Sequence, residues 1–255
     1  MSDLRRKRRA LALALSGLAD RALRDAVASE GVEPGPERLE DAERLLQALE
    51  RRGIATLLIG DDRYPQRFFD LNDPPAMIFV RGTLPGPQAS LGVVGMRDVD
   101  EYGQRVTEAV VLSGVRAGRA IISGGALGVD TIAHETALAQ GVPTLVVLGS
   151  GFDKPYPRSN APLFERVASA GAVITEFLPD VAGNRWTFPK RNRLVAALSD
   201  DVVVTRSLMR SGALITARLA LALGRPLWAV PGDVFEQRSA GPLSLLEKGA
   251  RPIRS

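Results

Sequence analysis

Two rhythms of apolar residues divide the chain. Up to about residue 60 the apolar positions recur at helical spacing. Leu11, Leu15, Leu18, Ala22, Leu23 and Val27 mark one face of a first helix that runs to about Ser29, and Leu39, Ala42, Leu45, Leu46 and Leu49 mark a second that stops near Gly53. Gly31, Pro34, Gly35 and Pro36 break the chain between them. Two helices with so few large apolar residues bury too little to fold alone, so residues 1–60 read as a small helical, SAM-like domain that packs on the larger remainder of the chain.

From about Gly92 the rhythm changes. Short apolar runs at Leu91–Val94, Ala120–Ile122, Thr144–Leu148, Ala172–Ile174, Val202–Val204 and Leu227–Val230 alternate with helical patterns near 103–117, 129–140, 160–170, 190–198 and 212–223. β-branched runs without polar alternation are strands buried on both faces, and strands alternating with helices make a parallel sheet. Residues 61–255 therefore read as a doubly wound α/β domain of the Rossmann type with a mostly parallel sheet. Pro74 and Pro75 precede Ala76–Val80, an extra strand that extends it. No internal repeat or low-complexity segment interrupts the pattern.

Composition narrows the chemistry. The 255 residues are 45% hydrophobic and 24% charged, enough for a substantial core and too polar for a multi-span membrane protein. Cysteine is absent, which excludes disulfides, thiolate nucleophiles, zinc ribbons and iron–sulfur clusters; His134 is the single histidine, so any Ser-His-Asp triad would have to use it. The net charge of +4 is mild, but the whole excess lies after Leu127, and the stretch 181–199 holds Arg185, Lys190, Arg191 and Arg193 with no acid. The opening run Arg5–Arg9, followed by apolar Leu11–Ala19 with Gly17 and Ala19 at a possible cleavage site, imitates a secretory signal. The helical spacing continues past that point through Asp20 and Arg21, which favours an amphipathic helix with the basic run as its solvated lead-in.

In a doubly wound sheet ligands bind beyond the carboxyl ends of the strands. There the chain places Gly95-Met96-Arg97, then Ser123-Gly124-Gly125-Ala126-Leu127-Gly128, then Gly149-Ser150-Gly151, and ahead of the last major helix Arg210-Ser211-Gly212. Any protein of this class needs glycine turns and serine caps. Four such loops with Arg97 and Arg210 beside them make a phosphate-binding rim, because glycine admits a ligand to the backbone and helix N-termini offer free N–H groups. No G-x-x-x-x-G-K-[ST] is present, and Gly124, Gly125 and Gly128 do not form G-x-G-x-x-G, which removes the main support for ATPase and dinucleotide readings.

The segment Arg185-Trp186-Thr187-Phe188-Pro189-Lys190-Arg191-Asn192-Arg193 pairs cations for backbone phosphates with aromatic faces for unstacked bases, the combination single-stranded nucleic acid requires. The plainer alternative is a solvated helix start with a buried aromatic anchor. Asp130 and His134, four apart on a helix, read as a structural polar contact, since no nucleophile accompanies them. Glu176, after the strand at 172, is a lone acid in a loop.

Taken together, Gly95-Met96-Arg97, Tyr102-Gly103, Ser123 through Asp130, Ala133-His134, Leu148–Gly151, Tyr156-Pro157, Asn160, Glu176-Phe177, Phe188–Arg193, Arg210–Arg218 and Val230-Pro231-Gly232 resemble the DNA processing protein A (DprA/Smf) family. The resemblance covers roughly Tyr64 to Ala250 and is most specific in F-P-x-R-N-R and R-S-G-x-L-x-T-A-R. It implies an extended Rossmann domain in a cytoplasmic homodimer without cofactor, metal or catalytic residues. It further implies that the protein binds and protects single-stranded DNA and helps load a RecA-type recombinase during natural transformation. The DNA-binding positions it implies are Arg97, Ser123, Gly124, Gly125, Arg185, Phe188, Lys190, Arg191, Asn192, Arg193, Arg210, Ser211 and Gly212, with Phe188 as the base-stacking residue.

This chain departs from the family pattern at several places. Met96 stands where a small hydroxyl residue is usual, leaving only the backbone N–H for phosphate. Gly125 and Leu127 replace a larger apolar residue and a basic one; Arg206 stands where Glu is expected; Glu236-Gln237 stands where Asn-Pro is frequent. With the chain ending at Ser255, the winged-helix-like C-terminal domain of some members is not expected. Two other readings compete: a nucleotide-processing hydrolase with Glu176 as its carboxylate, and a nucleotide-sensing module without chemistry.

Overall fold

The computed structural model describes residues 3–29, 32–86 and 88–254, and the chain divides into two compact units, Met1–Arg81 and Gly82–Ser255. The first unit contains α1 (Asp3–Leu15), α2 (Asp20–Ala28) and α3 (Pro36–Arg51), followed by β1 (Ile54–Leu58) and β2 (Met77–Gly82). The strands pair antiparallel, Ile54 opposite Arg81 and Leu58 opposite Met77. The division falls after this pair, whereas a boundary near residue 60 would cut it in two.

The first helix expected from the sequence is two. Ser16 and Gly17 turn the chain, Gly17 with φ +91°, and α2 starts at Asp20. The basic run on α1 is not a solvated lead-in. Arg9, 5% exposed, donates to the carbonyls of Ser29 (2.8 Å) and Val32 (2.7 Å), while Arg8 pairs with Glu43 and Arg6 with Asp61. A helix with a buried run Arg9–Leu13 can close a small unit because the Arg9 guanidinium satisfies loop carbonyls that no secondary structure reaches.

The second unit contains β3 (Ser90–Val94), α4 (Glu101–Arg116), β4 (Ala120–Ser123), α5 (Val129–Ala139), β5 (Thr144–Val147), α6 (Ala161–Ala170) and β6 (Ala172–Thr175). After these come α7 (Thr187–Leu198), β7 (Asp201–Val204), α8 (Gly212–Ala222), β8 (Leu227–Ala229), α9 (Ala240–Glu247) and β9 (Arg251–Pro252). The seven strands run parallel in the order β6-β5-β4-β3-β7-β8-β9. Leu91, Val93, Val110, Val111, Ile121, Val129, Ala133, Ala137 and Val203 form one core cluster between the sheet and the pair α4–α5. Gly92 points the other way, against Ser199 at the end of α7, and α7 packs with α8. Strand order reverses at β3: the chain first builds outward through β4, β5 and β6, then crosses to β7 on the other side. The crevice between the carboxyl ends of β3 and β7 is therefore the topological switch point where doubly wound sheets bind ligands. Among the described residues no helix is long and apolar enough to cross a membrane.

Candidate nucleic-acid interface

A cavity of 370 Å³ opens at the switch point. Its walls are the loop after β3 (Gly95, Met96, Arg97, Asp98), Gly124 and Ala126 after β4, Phe188, Arg191 and Asn192 on α7, and Ser211, Gly212 and Ala213 at the start of α8.

The loop after β3 is fixed from both sides. The Met96 N–H donates to the Arg206 carbonyl at 2.8 Å, and the Met96 carbonyl accepts from the Val129 N–H at 3.1 Å. Gly128 (φ +75°) lies so close that a Cβ there would sit 2.4 Å from the Met96 oxygen and 2.5 Å from that of Arg97. The Met96 N–H is thus already used and is no phosphate donor. Arg97 stands at the cavity mouth with an exposed side chain, 5.6 Å from the centroid of the Phe188 ring and 5.8 Å from that of Tyr156.

Helix α7 starts at Thr187 and tolerates Pro189 because its first turn needs no donor there. The helix turns its basic residues in different directions. Arg191, 6% exposed, donates through Nη1 to the carbonyls of Gly124 and Val147. Gly124 must be glycine for this contact, since a Cβ would fall 2.0 Å from that nitrogen. Burial lowers the Arg191 guanidinium to about 10, against the pull of Asp130. Burial likewise pushes the Asp130 carboxyl up, opposed by Arg191 and by the N–H groups of Ala126 and Gly124, each 3.2 Å from Oδ2. Arg193, 7% exposed, donates to Glu176 at 2.5 Å, and Lys190 lies 3.9 Å from the same carboxylate oxygen. Asn192 donates to the Gly212 carbonyl at 3.2 Å and ties α7 to the start of α8.

Of the candidates from sequence, Arg97, Gly124, Phe188, Arg191, Asn192, Ser211 and Gly212 meet at the cavity. Ser123 does not: its buried hydroxyl donates to the Val93 carbonyl at 2.7 Å, inside the sheet. Gly125 is buried against Phe164, behind the cavity wall. Arg193 is turned inward to Glu176. Arg185 is exposed and lies 4.9 Å over the Trp186 ring, and Arg210 faces an adjoining groove of 540 Å³ between α8 and α9 that shares Ser211 and Gly212. Ser211 caps α8, accepting from the Leu214 N–H at 3.4 Å, and Ser211, Gly212 and Ala213 at the start of the helix line the cavity.

Asp130 and His134 do not pair with each other. His134 Nδ1 meets the Thr144 hydroxyl at 2.8 Å, and burial, with Arg191 adding to it, pushes the imidazole down to about 3. Arg206, the charge reversal after β7, brings its own neutraliser. Its guanidinium, 3% exposed as a residue, pairs with Asp100 and donates to the Ser239 hydroxyl at 2.5 Å. Asp100 caps α4 by accepting from the Gly103 N–H at 2.8 Å, and Arg206 holds its carboxyl below the usual range. Tyr156, in the loop after β5, belongs to the Tyr156-Pro157 pair of the family resemblance but was not among the expected DNA-binding positions; its ring lies 5.1 Å from that of Phe188. Among the described residues no cluster of three or more His, Asp or Glu could hold a metal ion.

Residues 55–255 match the family model of DNA recombination-mediator protein A. The chain belongs to this family. It is 36% identical over 214 residues to the DNA processing protein DprA of Bacillus subtilis, covering 83% of this chain and 72% of that one. Among curated relatives it spans from 50% to 72% of their length. The crystal structure of DprA from Streptococcus pneumoniae superposes with a TM-score of 0.75 at 28% identity, over 98% of this chain and 90% of that one. DNA processing protein A from Helicobacter pylori, whose structure was described for its single-stranded DNA binding mode, gives a TM-score of 0.71 at 32% identity, over 79% and 91%. Family membership and the mostly parallel Rossmann-type fold thus agree with the resemblance seen in the loops.

Proposed function

We propose that the cavity at the switch point holds the backbone of single-stranded DNA, and that the protein acts without catalysis as a recombination mediator, shielding the strand and helping a RecA-type recombinase assemble on it. The observation that carries the reading is Arg97: an exposed cation on a loop fixed from both sides, at the mouth of a cavity whose walls include glycine backbone, the Phe188 ring and the start of α8, with Asp130 on its wall countered by Arg191. A volume of 370 Å³ suits one nucleotide rather than a large cofactor. In this reading Arg97, Lys190, Arg185 and Arg210 meet phosphates, the first turn of α8 at Ser211 and Gly212 supplies N–H donors, and Phe188 forms the apolar wall. Gly124, Gly125, Ser123, Arg191, Asn192 and Arg193 shape the site from behind. The relative from Helicobacter pylori supports the choice of single-stranded DNA as ligand, and the family supports a cytoplasmic homodimer.

The hydrolase alternative loses its carboxylate, because Glu176 is engaged by Arg193 and Lys190. The test is fluorescence anisotropy of a labelled oligonucleotide, single-stranded against duplex, with nucleoside monophosphates as competitors. Tighter single-strand binding that monophosphates do not displace is the expected result. Displacement at stoichiometric monophosphate would favour a nucleotide sensor, and base release lost in Glu176→Ala would favour the hydrolase. Recombinase loading is read separately, as faster filament assembly by a RecA-type recombinase on the same strand; an unchanged assembly rate would remove that part.

A further inference from the structure

We propose that Tyr156, rather than Phe188, is the platform on which a DNA base stacks, with Phe188 and Arg97 as its supports. The proposal rests on the single-stranded DNA reading above and adds a subsite to it.

Phe188 lines the cavity, but most of its ring is covered by its neighbours. Its ring lies against two glycines: a Cβ on Gly149 would sit 2.7 Å from the ring Cδ1, and one on Gly183 would sit 2.8 Å from Cζ. The Tyr156 ring covers it from another side, with centroids 5.1 Å apart and planes tilted by 45°, and the Arg97 guanidinium lies 5.6 Å from its centroid. A ring enclosed in this way braces its neighbours.

Tyr156 is 43% exposed. Phe188 on one side and Arg97, 5.8 Å from its centroid, hold the ring in place, so stacking a base on it costs little side-chain entropy. Arg97 lies over both rings, 5.6 Å and 5.8 Å from their centroids, which sets an exposed cation against an exposed aromatic residue. That pair matches a nucleotide's own arrangement of phosphate beside base. Trp186, also exposed, packs with Arg185; Tyr156, like Trp186, is not part of the cavity wall itself but is joined to it through Arg97 and Phe188, which are.

The experiment measures binding of the full chain to a thymidine oligonucleotide and to the same strand carrying abasic positions. Wild-type protein is expected to bind the abasic strand about five- to 150-fold more weakly, the range one stacked base supplies. Tyr156→Leu should weaken binding to the intact strand by a similar factor, leave binding to the abasic strand unchanged and keep the salt slope, since no phosphate contact is removed. Tyr156→Phe should bind as wild type. Equal wild-type affinity for intact and abasic strands would overturn the stacking subsite while leaving DNA binding in place. So would a Tyr156→Leu loss that is the same on both strands. Absence of any single-strand binding by the wild-type chain would overturn the underlying reading as well.

Discussion

Replacing Arg191 with leucine should cost the fold far more than it costs any surface contact. The guanidinium is buried at 6% exposure and gives one nitrogen to two carbonyls, Gly124 at the end of β4 and Val147 at the end of β5. It also offsets the buried carboxyl of Asp130, which burial already pushes up. Leucine leaves two carbonyls without a charged donor and a carboxyl without its counter-charge. Removing one member of a buried pair costs ~3–5 kcal/mol, and the hydrogen bonds lost are of the charged, stronger kind. Against a domain stability of about 5–15 kcal/mol this is a large fraction, readable as a shift in the urea midpoint at constant slope. Gly124→Ala, which drives a methyl to within 2.0 Å of the same nitrogen, should destabilise in the same direction. Arg97→Ala, an exposed change at the same cavity, should stay within about 0.5 kcal/mol of wild type. A loss below about 1 kcal/mol for Arg191→Leu would refute the reasoning, because it would mean that the guanidinium is hydrated and not holding the two strand ends together.

His134 predicts an acid-sensitive fold. Its folded value of about 3 lies below the unfolded 6.5, so its contribution is complete above pH 6.5 and falls by about 1.4 kcal/mol per pH unit as the pH drops toward 3. His134→Gln should flatten that part of the stability curve, and parallel curves for the two proteins would contradict it. Arg206→Glu sets a carboxylate against Asp100 at the start of α4 and should lower stability by ~3 kcal/mol. Combining it with Asp100→Arg should recover part of the loss in thermal melts, whereas simple addition of the two losses would count against a direct pair.

The strands of the second unit were legible because parallel strands buried on both faces must be continuously apolar, and the runs at 91–94, 120–122 and 202–204 are. β1 was not: Ile54–Leu58 follows a helical stretch directly after Gly53 and offers only five residues without a partner pattern. β9 is two exposed residues, Arg251 and Pro252, with no apolar signal at all. The site was legible in part for a related reason. Glycine turns declare themselves locally, but whether a cation faces water or protein depends on residues far along the chain. Arg191 is satisfied by carbonyls 67 and 44 positions away, and Arg193 by an acid 17 positions away. An acid-free stretch therefore looked like a solvent-facing basic strip while half of its cations were committed inward. Conversely Tyr156 lies outside that strip, and its packing on Phe188 of α7 is a tertiary contact that no local pattern declares.

The central claim is that single-stranded DNA crosses the switch-point cavity at Arg97. Anisotropy titrations of one oligonucleotide against wild-type and Arg97→Ala protein over a range of salt concentrations test it most directly. Each neutralised phosphate contributes about 0.7 to the log–log salt slope on a single strand. The account predicts weaker binding by Arg97→Ala with a slope shallower by about that amount and unchanged stability. Equal affinity and equal slope for the two proteins would place the DNA elsewhere and contradict it.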